Sequence, residues 1–254
     1  MKRLLCCLVA VSAFAAEIQS SQPADLTVHE WGTFTSVAGP DGSAFDWNAL
    51  GGKDDLPGFV NDMGFRCARW IKLGLTATVR METPVLYFYS SQELNARVKV
   101  SFPNGLITEW YPRADYQVFQ RDSGDGVAQR LQANLNGLDT SLRSVTGAIE
   151  WTNIQVEPNT SPALPAESAP SRYYAARGTD SAPLTIANEH EKFLFYRGVG
   201  RFSIPLTARI DAGGAVSIGN QGARVPTVIL FENRDGQIGY PGPKPVQLYR
   251  AQSW

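Results

Sequence analysis

Residues 79–112, VRMETPVLYFYSSQELNARVKVSFPNGLITEWYP, decide the fold class. β-Branched and aromatic residues crowd 79–89, 98–102 and 106–110, the composition that a pleated, half-buried surface favours. Pro103-Asn104-Gly105 separates the last two runs, and Asn-Gly supplies the positive φ angles of a tight reversal. The pattern predicts three strands, the last two joined as a β-hairpin. Pro84 has no N–H for a ladder, so it marks a bulge or an edge in the first strand. Residues 92–97 are expected as a helical turn or a loop.

The same texture continues in both directions. Upstream, LTVHEWGTFTSV at 26–37 places Leu26, Val28 and Glu30 on one face and Thr27, His29 and Trp31 on the other. Neither set is uniformly apolar, which suits an edge strand or the lip of a site. Downstream, strands are expected at 148–156, 192–196, 202–210, 215–218, 226–232 and 237–240, with reversals at Asp211-Ala212-Gly213-Gly214 and Asn233-Arg234-Asp235-Gly236. Turn signals this regular, without helices between strands, point to an all-β fold: an antiparallel two-sheet β-sandwich with long irregular loops and at most one or two short helices. The helix candidate is 127–135, where Val127, Leu131 and Leu135 form a stripe that Gly137 would end. Residues 45–77 and 114–147 read as long decorating loops, the first held down by its aromatics. Residues 158–170, PNTSPALPAESAP, read as a surface excursion that Tyr173-Tyr174 pins at its far end.

Lys2 and Arg3, the apolar run at 4–14 and Ala13-Phe14-Ala15 have the layout of a signal peptide over 1–15. The expected plan is then a flexible leader at 16–25, a β-sandwich domain at 26–240 and a tail at 241–254 that is either a closing strand or the start of a truncated region. An apolar run of about 11 residues is short of the ~20 that span a bilayer, so no transmembrane span is expected after cleavage. The expected location is the periplasm or the extracellular space. Cys67 is the one cysteine beyond the leader and so makes no internal disulfide; it is read as a buried packing residue. With 23 basic and 24 acidic residues and no basic block, the charge argues against a nucleic-acid partner.

Three segments, His29–Val37 HEWGTFTSV, Met81–Tyr89 METPVLYFY and Glu191–Gly198 EKFLFYRG, resemble a group of exported bacterial proteins of uncharacterised activity that carry HEWGTFT, METPVxYFY and EKFxFYRG blocks. The resemblance implies a β-rich secreted protein and no activity.

Three constellations have chemical meaning. His29 and His190 are the only histidines and both neighbour carboxylates; with Glu82 they compose a candidate site for zinc or another divalent metal, the centre of a metal-assisted hydrolase. Their spacing matches no recognised ligand motif, and ordinary strand-end histidines fit equally. Glu82 and Glu109, in strands beside aromatics, are the candidate pair for acid–base catalysis, although Glu82 paired with Arg197 is the simpler expectation. Trp31, Trp110 and Tyr111 are candidates for an aromatic surface that stacks on a sugar ring; exposed indoles would favour binding, buried ones a core role. On a simple strand Trp110 and Tyr111 face opposite ways, so at most one is expected in the core. The leading expectation is a binding or structural module of the cell envelope, glycan-binding and without a cofactor; the alternative is the metal-assisted hydrolase.

Overall fold

The computed structural model describes residues 16–20, 25–50, 55–63, 74–82, 84–121, 128–131, 137–202, 204–212, 215–222, 224–225, 227–229, 232–234, 237–239 and 249–250. Cys67, Trp70, the leader 1–15 and most of the tail lie outside them. The described chain is mostly β with almost no helix. In order come β1 (Ala16–Ser20), β2 (Thr27–Trp31), β3 (Phe34–Ser36), β4 (Asn61–Asp62), β5 (Val79–Met81), β6 (Val85–Tyr89), β7 (Leu94–Pro103) and β8 (Gly105–Tyr111). Then follow β9 (Asp115–Arg121), β10 (Ala128–Arg130), β11 (Val145–Val156), a 3-10 helix (Arg172–Arg177), β12 (Leu184–Ile186), β13 (Glu189–Glu191) and β14 (Leu194–Gly200). The last are β15 (Leu206–Ile210), β16 (Val216–Asn220), β17 (Glu232–Arg234), β18 (Gln237–Gly239) and β19 (Tyr249–Arg250). No helix among the described residues is long and apolar enough to cross a membrane.

Two seven-stranded sheets dominate. In the first, β11 is central: β7 lies on one side with β1 beyond it, while β9 and β12 share the other side and carry β10 and β13. In the second, β14 is central, with β8 and then β4 on one side. On its other side stand two broken strands, β5 with β6 and, outside them, β3 with β2. All pairings within these sheets are antiparallel, and β16 with β19 is parallel. The main apolar cluster draws on both: Val98, Val100, Phe102, Ile149 and Trp151 from the first sheet, Leu86, Phe88, Leu106, Leu194 and Tyr196 from the second.

The hairpin expected at Pro103-Asn104-Gly105 is corrected. Asn104 does take the left-handed conformation (φ 55°), but β7 and β8 belong to different sheets and do not pair. The turn is a corner between sheets: β7 takes β11 and β1 as partners, β8 takes β14 and β4. Gly105 is required there, since a β-carbon would come 2.8 Å from the carbonyl oxygen of Val199. Residues 94–97, expected as a turn, extend β7, whose Leu94, Ala96, Val98, Val100 and Phe102 alternate inward. Residues 115–121, expected as loop, form β9 along β11, and 128–130 of the expected helix form β10 on the edge of β9. Ladder partners decided both segments, overriding local pattern. The β15–β16 hairpin is as expected.

A second, smaller cluster of Val60, Val85, Tyr111, Tyr173, Phe193 and Phe195 sits against the opposite face of the second sheet. It explains why both Trp110 and Tyr111 are buried, against the expectation for a simple strand. Every residue of β8 is buried, because that strand has apolar cover on both faces: Trp110 belongs to the main cluster and Tyr111 to the second. Phe59 packs edge-on to Tyr111 at 4.9 Å and to Tyr173 at 5.6 Å, so the loop 45–77 is anchored by an aromatic as expected.

Candidate functional site

The second sheet is interrupted where β2 gives way to β3 and β5 gives way to β6. Gly32 lies against Pro84, where a β-carbon would stand 3.2 Å from Pro84 Cα. Across the break Glu82 N–H donates to the Thr33 carbonyl at 2.9 Å. Pro84 interrupts the ladder because it has no N–H, yet its carbonyl still accepts from Tyr196 N–H at 3.1 Å. His29 to Val37, the described residues of 81–89 and the FYRG of β14 therefore run side by side here.

The break frees backbone and side-chain groups that regular strands would use up. The carbonyl of Glu82 accepts from Arg197 Nε at 3.0 Å, and Arg197 Nη2 donates to Asp55 Oδ1 at 3.0 Å. Arg197 is buried while Asp55 is about half exposed. Burial pushes the Asp55 carboxyl up, but the Arg197 hydrogen bond and the charges of Arg197 and Arg80 outweigh it and hold the group below the ordinary carboxylate range. Arg80 is less well provided for. Its Nε stands 3.4 Å from Glu82 Oε1, is itself buried, and has no hydrogen-bond partner among the described residues. On the core side of the sheet, Tyr196 OH donates to Glu30 Oε1. Burial raises the Glu30 pKa, the tyrosine hydrogen bond pulling the other way; burial and then the Glu30 charge raise that of Tyr196.

Trp31, next to Glu30, faces the other way and is 63% exposed. It ends β2, which among the described residues pairs only with β6 and is thus a sheet edge. His29, also exposed, has its ring 5.3 Å from that of Tyr89 at a tilted angle. The alternation that assigns Val28 and Glu30 inward and Thr27, His29 and Trp31 outward is the one visible in the sequence.

The other candidates are dispersed. His190 is on β13 at the margin of the first sheet; its Nδ1 is 2.9 Å from Thr185 Oγ1, whose hydroxyl proton goes to Glu157. A neutral His190 therefore carries its proton on Nδ1. His29, Glu82 and His190 have separate partners, and among the described residues no group of three His, Cys, Asp or Glu side chains could hold a metal ion. Glu109 is buried on β8 opposite Arg197 in the ladder, and Thr108 Oγ1 donates to its carboxylate. The expected ion pair of Glu82 with Arg197 is instead a bond to the Glu82 carbonyl, and the Glu82 carboxylate turns to Arg80. Trp110 stacks on Tyr116 at 4.6 Å, and Trp151 is buried with its Nε1 bonded to the Pro112 carbonyl. Burial raises the Tyr111 hydroxyl to about 12. Of the three aromatic candidates, only Trp31 offers a ring face to solvent.

Sequence reasoning passed over Asp55, Arg80 and Tyr196. Glu30 had a signal: it is a carboxylate at an inward position of an alternating strand. Arg80 had one too, as a cation between Val79 and Met81, both fully buried. No protein-family model matches the chain, and no curated protein or solved structure matches it.

Proposed function

We propose that the chain is an exported antiparallel two-sheet β-sandwich that binds a glycan of the cell envelope, with the β2 edge as its recognition surface. The observation that carries this reading is Trp31: a large indole, 63% exposed, on a strand edge beside an exposed histidine. Leaving that much aromatic surface in water forgoes about 1.5–3 kcal/mol of burial, a cost that a stacking ligand recovers. The apolar faces of sugar rings stack on such indoles while neighbouring polar groups take up the hydroxyls. The shared core supports the sandwich architecture, since the two sheets contribute to one apolar cluster. The basic and apolar start of the chain supports export to the periplasm or beyond, with 26–240 as the binding domain.

The test is intrinsic tryptophan fluorescence of the mature chain titrated with soluble neutral and acidic oligosaccharides, alongside the Trp31→Ala variant. A saturable change with at least one glycan that disappears in the variant is the expected result. No saturable change across the panel, or one that the variant retains, overturns the reading.

A further inference from the structure

The second aromatic cluster is covered by residues 55–60, and that loop is held in turn by the excursion 158–170, which lies far from it in sequence. Leu56, Phe59 and Val60 pack on the cluster, and Phe59 meets both Tyr111 and Tyr173 edge-on. Both oxygens of the Glu167 carboxylate accept from Gly58 N–H, at 2.9 and 3.0 Å, across 109 residues of chain. Ser171 Oγ donates to the Asp55 carbonyl at 2.6 Å. Glu167 N–H donates to Tyr174 OH at 3.0 Å, which ties the excursion to the 3-10 helix as well.

These outer ties differ in kind from those beneath them. Under the loop, Tyr173 and Arg177 bond to the fully buried Glu191. Both ends of the excursion are fixed: Glu157 N–H donates to the Pro183 carbonyl and its carboxylate accepts from Thr185 Oγ1, while Ser171 Oγ caps the 3-10 helix by accepting from Tyr173 N–H. Between those ends, residues 161–166 make no hydrogen bond among the described residues, and Pro162 and Pro165 have no N–H to offer. The bonds that join loop and excursion run through Asp55, Gly58 and Glu167, all exposed, so water competes for each donor and acceptor. Segments held by exposed bonds and little buried contact open at far less cost than core strands do. Lifting the excursion also removes the bonds that hold Gly58 and Asp55 from outside. We infer that residues 55–60 and 161–169 form one two-part lid over the aromatic cluster, latched by Glu167 on Gly58, which opens as a unit while the sheets and the 3-10 helix stay folded. Opening uncovers the Tyr111 and Tyr173 rings that Phe59 meets. The inference stands independently of the glycan reading.

The experiment disturbs each half of the lid and reads the other, in the full chain. Glu167→Ala removes the latch from the excursion, and amide hydrogen exchange is followed at Val60, whose N–H donates to the Pro57 carbonyl and not to Glu167. Gly58→Ala disturbs the loop side, since its β-carbon would come 2.8 Å from Glu167 Oε1 and push the carboxylate away. Its readout is the rate of elastase cleavage after Ala163 and Ala166, small residues of the kind that protease accepts. Exchange at Val60 is expected to rise roughly fivefold in Glu167→Ala, about what one exposed hydrogen bond provides, with β11 and β14 amides unchanged. Cleavage should rise by a similar factor in Gly58→Ala. Unchanged exchange at Val60 in folded Glu167→Ala, or unchanged cleavage in folded Gly58→Ala, means two independent loops and overturns the lid. A rise shared equally by β11 and β14 overturns it too, because the opening is then global. Should Gly58→Ala fail to fold, Glu167→Ala alone decides, since Glu167 is exposed and its loss does not touch the core.

Discussion

The molecule contains two arrangements of carboxylate, tyrosine and arginine, one between β13 and the 3-10 helix and one at the strand break of the second sheet, and they differ in how completely their hydrogen bonds are met. On the 3-10 helix side, Glu191 is fully buried and accepts from Tyr173 OH at 2.9 Å, from Arg177 Nη2 at 2.7 Å and Nε at 3.0 Å, and from Lys192 N–H at 2.8 Å. The Arg177 guanidinium also lies over Tyr174, 5.1 Å from its ring centre. This carboxylate is saturated, as a buried charge has to be, and it fastens the 3-10 helix that follows the 158–170 excursion onto β13. At the strand break, among the described residues, Glu30 accepts from Tyr196 alone, Arg80 Nε has no hydrogen-bond acceptor, and the exposed Asp55 and Glu82 are each shared with an arginine. A completed network is what a fold needs to hold itself together; the one at the strand break leaves a buried guanidinium nitrogen without a hydrogen bond among the described residues.

The largest expected effect comes from breaking the completed network. Glu191→Ala leaves the Arg177 guanidinium and the Tyr173 hydroxyl without their acceptor and removes the tie on the excursion. Loss of one partner of a buried pair costs about 3–5 kcal/mol, and the slight exposure of Arg177 places the expectation near the lower end, about 3 kcal/mol. Urea denaturation measures it, and limited proteolysis within 158–170 should accelerate in the variant. A loss under about 1 kcal/mol would erase the distinction drawn between the two networks. Arg197→Met is expected to cost less, about 2 kcal/mol, because Asp55 is half exposed and water takes over its hydrogen bond, while only the Glu82 carbonyl loses a partner inside the protein.

The difference between the networks also has a pH signature. Burial raises the Glu30 pKa in the folded chain above its unfolded value. Its contribution to stability is therefore fully present below the unfolded carboxyl pKa and is lost as pH rises through the folded one. Asp55 runs the other way, its lowered pKa giving stability that is present above the unfolded value and lost as pH falls. Total stability mixes these opposing slopes, so the useful quantity is the difference between Glu30→Gln and the parent protein. Glutamine keeps an acceptor for Tyr196 without the charge. Its advantage is expected to grow from pH 4 to pH 8 in urea titrations; a difference independent of pH would mean that Glu30 ionises without cost.

What the sequence made legible follows from the range of the forces involved. Period-two alternation in β2 correctly sorted Glu30 from Trp31, because facing is decided within a strand. The turn at Asn104 was also local and visible, but whether its flanking strands pair with each other depends on β11 and β14, about forty and ninety residues further on, so a hairpin and a corner between sheets look alike in sequence. Burial of both Trp110 and Tyr111 needed a second apolar cluster built partly by the 3-10 helix, which no pattern within β8 reports. The polar groups at the strand break were hidden for the same reason: Arg197 meets the Glu82 carbonyl and Asp55, from two segments far from it in sequence.

The smallest effect on stability is expected at Trp31, and its smallness is informative. An indole that is mostly in water buries little area on folding, so Trp31→Ala should change the unfolding free energy by no more than about 0.5 kcal/mol, the usual range for surface substitutions. The denaturant slope should also be unchanged, because it follows the area exposed on unfolding. A loss of 3 kcal/mol or more, the cost of truncating a core tryptophan, would mean that the ring packs against the chain in solution and belongs with Trp110 and Trp151. Near-neutral stability together with loss of ligand binding would separate the aromatics that fill the two clusters on either side of β8 from the one proposed to meet a ligand at the edge of β2.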